Sequence, residues 1–185
     1  GIIKAKLKTM DELHDDSMPS CDLIEFEPLL DSSAMGPSDW IKIAETIERH
    51  YDDYDGFVIL HGTDTMCYTA SALSFMLENL SKPVVITGSM IPILKPYSDA
   101  RLNLIGAVFC AAVLEAPEVC IFFDKTLHRG NRCVKSSSCE LNAYSCPNFS
   151  PLASFSTKFF VNTSLLRQIN YNNGVESKLQ IQKNL

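Results

Sequence analysis

No stretch of this 185-residue chain is basic, and its net charge is −6. The stripe of lysine and arginine that a phosphate backbone requires is missing, so nucleic acid is not expected as a partner. Long apolar runs are missing too. The longest, residues 104–114, has roughly half of the ~20 residues needed to cross a bilayer, and no membrane span is expected. Behind Lys4, Lys6 and Lys8 there is neither an extended apolar segment nor a small-residue cleavage site, so no signal peptide is read. Cysteine occurs seven times, at positions 21, 67, 110, 120, 133, 139 and 146, an odd number without a CxxC. Reduced, mostly structural thiols in a cytoplasmic compartment fit that usage. The phosphate loop GxxxxGK[ST], the hydrolase elbow GxSxG and the zinc motif HExxH are all absent. The four histidines, His14, His50, His61 and His128, are too dispersed for a metal site, and neither metal nor cofactor is expected.

What is present is enough apolar material for a sizeable core: 46% of residues are hydrophobic, in a length typical of one domain. Residues 1–21 are polar, acidic in the middle, and read as an arm or loop. Residues 22–27 partly alternate and read as a strand, followed by the turn Asp31-Ser32-Ser33. Pro37 after Gly36 marks a helix start, and Trp40, Ile43, Ala44 and Ile47 recur at helical spacing beyond it. Short apolar strands are expected at residues 57–60, 82–88 and 118–123, with helices over 66–80 and 98–115 between them. Residues 158–161 offer one more strand, whereas the polar end from residue 170 reads as frayed. Strands that lack alternation, alternating with helices of this length, indicate a three-layer α/β domain: a mostly parallel sheet with helices on both faces.

The strand at 57–60 runs directly into His61-Gly62-Thr63-Asp64-Thr65. In an open α/β sheet, ligands bind beyond the carboxyl ends of the strands, where helix N-termini converge. A helix cap accounts for one such polar side chain. Three of them behind a glycine exceed what capping requires, and Asp31-Ser32-Ser33 adds a second polar strand-to-loop junction. Hydroxyls hold a carboxylate and an aspartate holds an ammonium, which together describe the backbone end of a free amino acid. Thr63 could serve as a nucleophile only if a base takes its proton, and spacing alone singles out none of the eleven lysines. His61, directly after an apolar strand, reads more readily as a hydrogen-bonded core or loop histidine than as a catalyst.

Several segments in one order carry a resemblance: residues 27–35, 50–66, 73–80 and 85–89, Ser98-Asp99, and Arg129-Gly130-Asn131-Arg132 followed by Lys135. Over about 130 residues the chain resembles the N-terminal domain of type I, cytosolic-type L-asparaginases, a family that in animals includes asparaginase-like lysophospholipases. The resemblance implies that L-asparagine is hydrolysed to L-aspartate and ammonia. It implies catalytic roles for Thr63, Asp64 and Lys135, with Lys135 as the base acting on Thr63. Asp31, Ser32 and Ser33, together with Thr63 and Asp64, would then bind the substrate's amino and carboxylate groups. Domain limits of 22–162, with 163–185 as a truncated linker towards an absent C-terminal domain, follow from the same resemblance, as does a homo-oligomer for the full-length protein.

Two departures qualify this expectation. The family's first strand ends in a GGTI-type motif whose threonine is its usual nucleophile, and no GGT occurs here. The first residue is Gly, which suggests a fragment. A fragment with little activity by itself is therefore expected. The alternatives are a non-catalytic amino-acid-binding or interaction module of degenerate asparaginase fold, and a lysophospholipase, whose acyl chain would require a long apolar groove.

Overall fold

The computed structural model describes residues 2–172 and 175–183. In chain order the elements are α1 (Ile2–Leu7), α2 (Pro37–Arg49), β1 (Phe57–Leu60), α3 (Met66–Met76), β2 (Leu77–Glu78), β3 (Val84–Thr87), α4 (Ala100–Val113), β4 (Val119–Phe123) and β5 (Thr126–Arg129). They continue with β6 (Val134–Lys135), β7 (Tyr144–Ser145), β8 (Ala153–Phe155), β9 (Phe159–Val161), β10 (Tyr171–Asn172), β11 (Val175–Glu176) and β12 (Gln180–Ile181). Short 3₁₀ turns lie at Asp11–His14, Gly130–Arg132 and Thr163–Leu165.

The main sheet has the order β1-β3-β4-β5-β8-β9. Its first three strands are parallel and the remainder is antiparallel, so the layered α/β expectation holds with a mixed sheet. The strands show no sequence alternation because both faces are covered. Every side chain of β3 and β4 is buried, and each aliphatic or aromatic side chain sunk in this way stabilises the fold by roughly 1.5–3 kcal/mol. Period-two geometry then divides one apolar run between two cores. Val84, Ile86, Val119, Ile121 and Phe123 face α2 and α3. Val85, Cys120 and Phe122 face α4.

The helices form where their patterns predict them. In α2, Pro37 occupies the first helical position, where its missing N–H leaves no bond unmade, and Ile43, Ala44 and Ile47 are the buried stripe. The α3 helix is shorter than its apolar pattern. It stops at Met76, and Leu77–Glu78 pairs instead with Gln180–Ile181, a partner a hundred residues away that periodicity does not reveal.

Two segments differ from expectation. Residues 22–27 form no strand: no described strand makes a ladder with them, Leu23 and Ile24 are exposed, and Phe26 packs on the core. Apolar alternation without a ladder partner leaves the backbone better satisfied by water. Residues 1–21, expected as an arm or loop, include α1 and a 3₁₀ turn. Met10 is fully buried against Leu104 and Val108 of α4, so this stretch is anchored at its centre.

Candidate active site

The chain leaves β1 at Leu60, and His61 extends the parallel ladder by donating its N–H to the Thr87 carbonyl at 2.8 Å. The strand ends are tight. A Cβ on Gly88 would overlap the His61 carbonyl oxygen, so only glycine fits there. Beyond them, residues 61–65 turn into α3. His61 is buried and anchors the turn. Its Nδ1 lies 2.6 Å from the Gly62 carbonyl, an acceptor, so Nδ1 carries the proton. Nε2 accordingly accepts from the Thr69 hydroxyl at 2.8 Å, and Thr69 in turn accepts from Trp40 Nε1 at 3.0 Å. Burial pushes the His61 pKa down, which keeps the imidazole neutral and matches these roles. His61 is thus a buried, hydrogen-bonded histidine, as its place after an apolar strand suggested.

Helix capping does not account for the hydroxyls of this turn. Thr65 is the N-cap residue of α3 but makes no side-chain cap. Its hydroxyl donates instead to the Ser32 carbonyl at 2.6 Å, docking residues 31–34 onto residues 62–65. A Cβ on Gly62 would overlap Ser32 Oγ, so the glycine permits that approach. Thr63 Oγ1 accepts from Lys135 Nζ at 3.0 Å, across 72 residues of sequence. The same ammonium lies 3.4 Å from Asp64 Oδ1. Asp64 is 65% exposed, and such a pair contributes only about 0–1 kcal/mol to stability. Its structural consequence is to aim Lys135 at Thr63. Tyr144, 2% exposed, donates its hydroxyl to the Thr63 carbonyl at 2.6 Å and fixes the backbone of that residue.

Lys135 and Tyr144 are cross-strand partners in the β6–β7 ladder, so one short hairpin delivers both groups to Thr63. Asp31 and Ser33 are exposed, and their described hydrogen bonds remain within their own turn. The Ser33 N–H, donating to Asp31 at 3.0 Å, holds that carboxyl below its ordinary range. Of the six residues read from sequence, Thr63, Asp64 and Lys135 therefore meet directly, and Ser32 packs on the turn that carries them.

Other residues around the turn gave no sequence signal of the contacts they make, although Ser98-Asp99 stood among the segments that carry the resemblance. Tyr144 is remote in sequence and lies in a weakly patterned region. Asp99 accepts the N–H groups of Met90 and Ile91 at 3.0 and 2.9 Å, and Asn103 bridges the Gly88 carbonyl to the Asp124 N–H. Together they pin the loop after β3. Among the described residues, no group of three His, Cys, Asp or Glu side chains is placed to hold a metal ion, and no helix is long and apolar enough to cross a membrane.

A threonine, an aspartate and a lysine of this layered α/β domain thus converge beyond the carboxyl ends of its parallel strands. A family model described as "Asparaginase, N-terminal" matches residues 3–167. The chain belongs to the asparaginase family. It is 53% identical over 152 residues to L-asparaginase 1 of Escherichia coli, covering 82% of this chain and 45% of that protein. It is 50% identical over 146 residues to the 60 kDa lysophospholipase of Mus musculus, covering 79% of this chain and 26% of that protein. The crystal structure of L-asparaginase I from Vibrio cholerae superposes with a TM-score of 0.89 at 44% identity, over 98% of this chain and 54% of that one. The chain spans less than half the length of the curated relatives it matches.

Proposed function

We propose that this chain supplies the Thr63–Lys135–Asp64 half of an L-asparagine amidohydrolase site. The observation that carries the reading is the 3.0 Å contact between Lys135 Nζ and Thr63 Oγ1. Lys135 acts as the base that takes the hydroxyl proton as oxygen attacks the side-chain amide carbon, either directly at Thr63 or through a water that Thr63 holds. The tetrahedral oxyanion faces the N-terminus of α3, which has no side-chain cap and whose dipole favours negative charge. Lysine then returns the proton to the departing nitrogen, which leaves as ammonia; where Thr63 itself has attacked, a water then hydrolyses the acyl ester and frees the hydroxyl, and either route ends in the carboxylate. Asp64 keeps Lys135 aimed at Thr63 and receives the substrate ammonium, while Asp31, Ser32 and Ser33 border the turn where the α-carboxylate would sit.

The substrate, its binding residues and the domain limits at 22–162 with a linker at 163–185 are parts of one proposal, as are a cytoplasmic location, a homo-oligomeric full-length protein and the lack of a nucleic-acid partner. L-asparaginases and a lysophospholipase both occur among the relatives, and the polar character of the turn favours the amino-acid amide. The test is Lys135→Met in the full-length protein. Ammonia release from L-asparagine should fall on the order of 10²- to 10⁴-fold, the usual consequence of losing a general base. Turnover within a few-fold of the parent would remove Lys135 from the chemistry. Calorimetry with L-aspartate on the 185-residue chain tests binding separately, and heat that persists in Asp64→Ala would count against the pocket.

A further inference from the structure

Three thiols beside the hydrolytic cluster lie in one part of the core. Cys67 is on the first turn of α3, Cys133 precedes β6, Cys146 follows β7, and all three pack with Ala143 and Tyr144. The hairpin register makes two of them partners. Val134 pairs with Ser145 and Lys135 with Tyr144, so one further step brings position 133 opposite 146. The backbone of Cys133 is extended, as that step requires. The Ser136 N–H donates to the Ala143 carbonyl at 2.8 Å, which makes 136/143 a hydrogen-bonded pair. By alternation 133/146 is then a non-hydrogen-bonded pair, the kind in which Cα atoms approach to about 4.5 Å. That separation lies within the ~4.4–6.8 Å that a disulfide bridges.

The two sulfurs are also chemically unequal. Cys133 is buried, whereas Cys146 is partly exposed. The Cys133 S–H is within hydrogen-bond reach of both Cys146 and Cys67 but carries only one proton to donate. His128, 6% exposed, enters from β5 and its ring contacts Cys146. That second donor serves Cys146 and not Cys67. The Cys146 thiol is held down at about 5 by Cys133 first and His128 after it, while Cys133 stays protonated.

We propose that Cys146 and Cys133 form a hydroperoxide-responsive dithiol that closes a disulfide across the ladder carrying Lys135. The Cys146 thiolate attacks one oxygen of hydrogen peroxide. The O–O bond breaks, hydroxide leaves, and a sulfenic acid forms. Cys133 sulfur then attacks the sulfenyl sulfur. The S–O bond breaks, the S–S bond forms, and hydroxide leaves with the Cys133 proton as water. Two electrons pass from the sulfur pair to one peroxide. The cross-link clasps the mostly exposed residues 136–142 at their base and locks the register that holds Lys135 at Thr63. It stands independently of the amidohydrolase proposal.

Acid pH distinguishes this pair from ordinary thiols. At pH 5.5 a thiol with a pKa of about 8.5 is only about 0.1% thiolate, whereas one near 5 is roughly three-quarters ionised. Lower nucleophilicity takes back part of that advantage and leaves Cys146 the faster thiol at this pH. The experiment is to treat the 185-residue chain with hydrogen peroxide at pH 5.5 and map peptides without reduction. The expected result is one cross-link, Cys133 to Cys146, with two of seven thiols lost and both restored by dithiothreitol. In Cys133→Ser, a sulfenic acid trapped by dimedone should accumulate at Cys146. A link from Cys67 to Cys133, or oxidation at exposed Cys21 or Cys139 as fast as at Cys146, would overturn the assignment. The wild-type map decides the matter even if a variant fails to fold.

Discussion

The hydroxyl of Thr69 stands 2.8 Å from Nε2 of His61, and it joins that histidine to Trp40 of α2 through a second hydrogen bond of 3.0 Å. A buried relay thus runs from the α2 surface to the turn that bears Thr63. Thr69→Val keeps the shape but leaves Trp40 Nε1 and His61 Nε2 without their partner. The expected loss is about 1–3 kcal/mol in urea unfolding, and an unchanged midpoint would show that water replaces the hydroxyl.

His61 also gives the fold a pH dependence with a definite sign. Burial lowers its folded pKa below the ordinary 6.5, so the unfolded chain binds more protons than the folded one in the interval between the two values. The stabilisation is complete above pH 6.5 and declines as pH falls towards the folded pKa, by up to about 1.4 kcal/mol per pH unit. Urea midpoints between pH 7.5 and 5 should therefore decrease, and His61→Gln should flatten that slope. Equal slopes in the two proteins would assign the effect to other groups.

The Tyr144 hydroxyl donates to the carbonyl of Thr63 in a 2.6 Å hydrogen bond. Loss of that bond in Tyr144→Phe leaves the substrate contacts intact and loosens the residue that Lys135 addresses. In the full-length protein kcat should fall about 10-fold or more while KM changes little, because misplacement acts on the reacting geometry rather than on ground-state binding. A rise in KM at constant kcat would instead make Tyr144 part of the binding surface.

The legible parts of the sequence were those whose signal is local. The apolar runs at 84–87 and 119–123 announced doubly covered strands because both cores claim alternate residues of a single run. Pro37 and the Ile43–Ala44–Ile47 stripe announced α2 for equally local reasons. The strand expected at 22–27 failed because a strand needs a partner, and alternation carries no information about one. Thr63 and Asp64 could be read from their strand-end position, and family resemblance added Lys135. Nothing near Tyr144 indicated that a two-residue ladder would bring it to the Thr63 carbonyl. The opposition of Cys133 and Cys146 likewise exists only once that ladder's register is known.

Arg129 and Glu118 hold the far end of the sheet together, and their separation gives the sharpest stability test. The guanidinium donates from Nε to Glu118 Oε2 at 2.5 Å and from Nη2 to Oε1 at 3.1 Å, and Nη2 also reaches the Leu165 carbonyl at 2.6 Å. The Arg167 N–H adds a bond to Glu118 at 3.1 Å, so the pair ties residues 165–167 to β4 and β5. Glu118 is only 3% exposed at its side chain. Arg129→Met strands that carboxylate in the interior, and the expected loss is about 3–5 kcal/mol. Replacing both partners, Glu118→Leu with Arg129→Met, removes the stranded charge and should recover a large part of that loss. Urea unfolding of the two variants decides the point: a double variant no more stable than Arg129→Met alone would mean that the Leu165 and Arg167 contacts, rather than the charge, carry the stability of this corner.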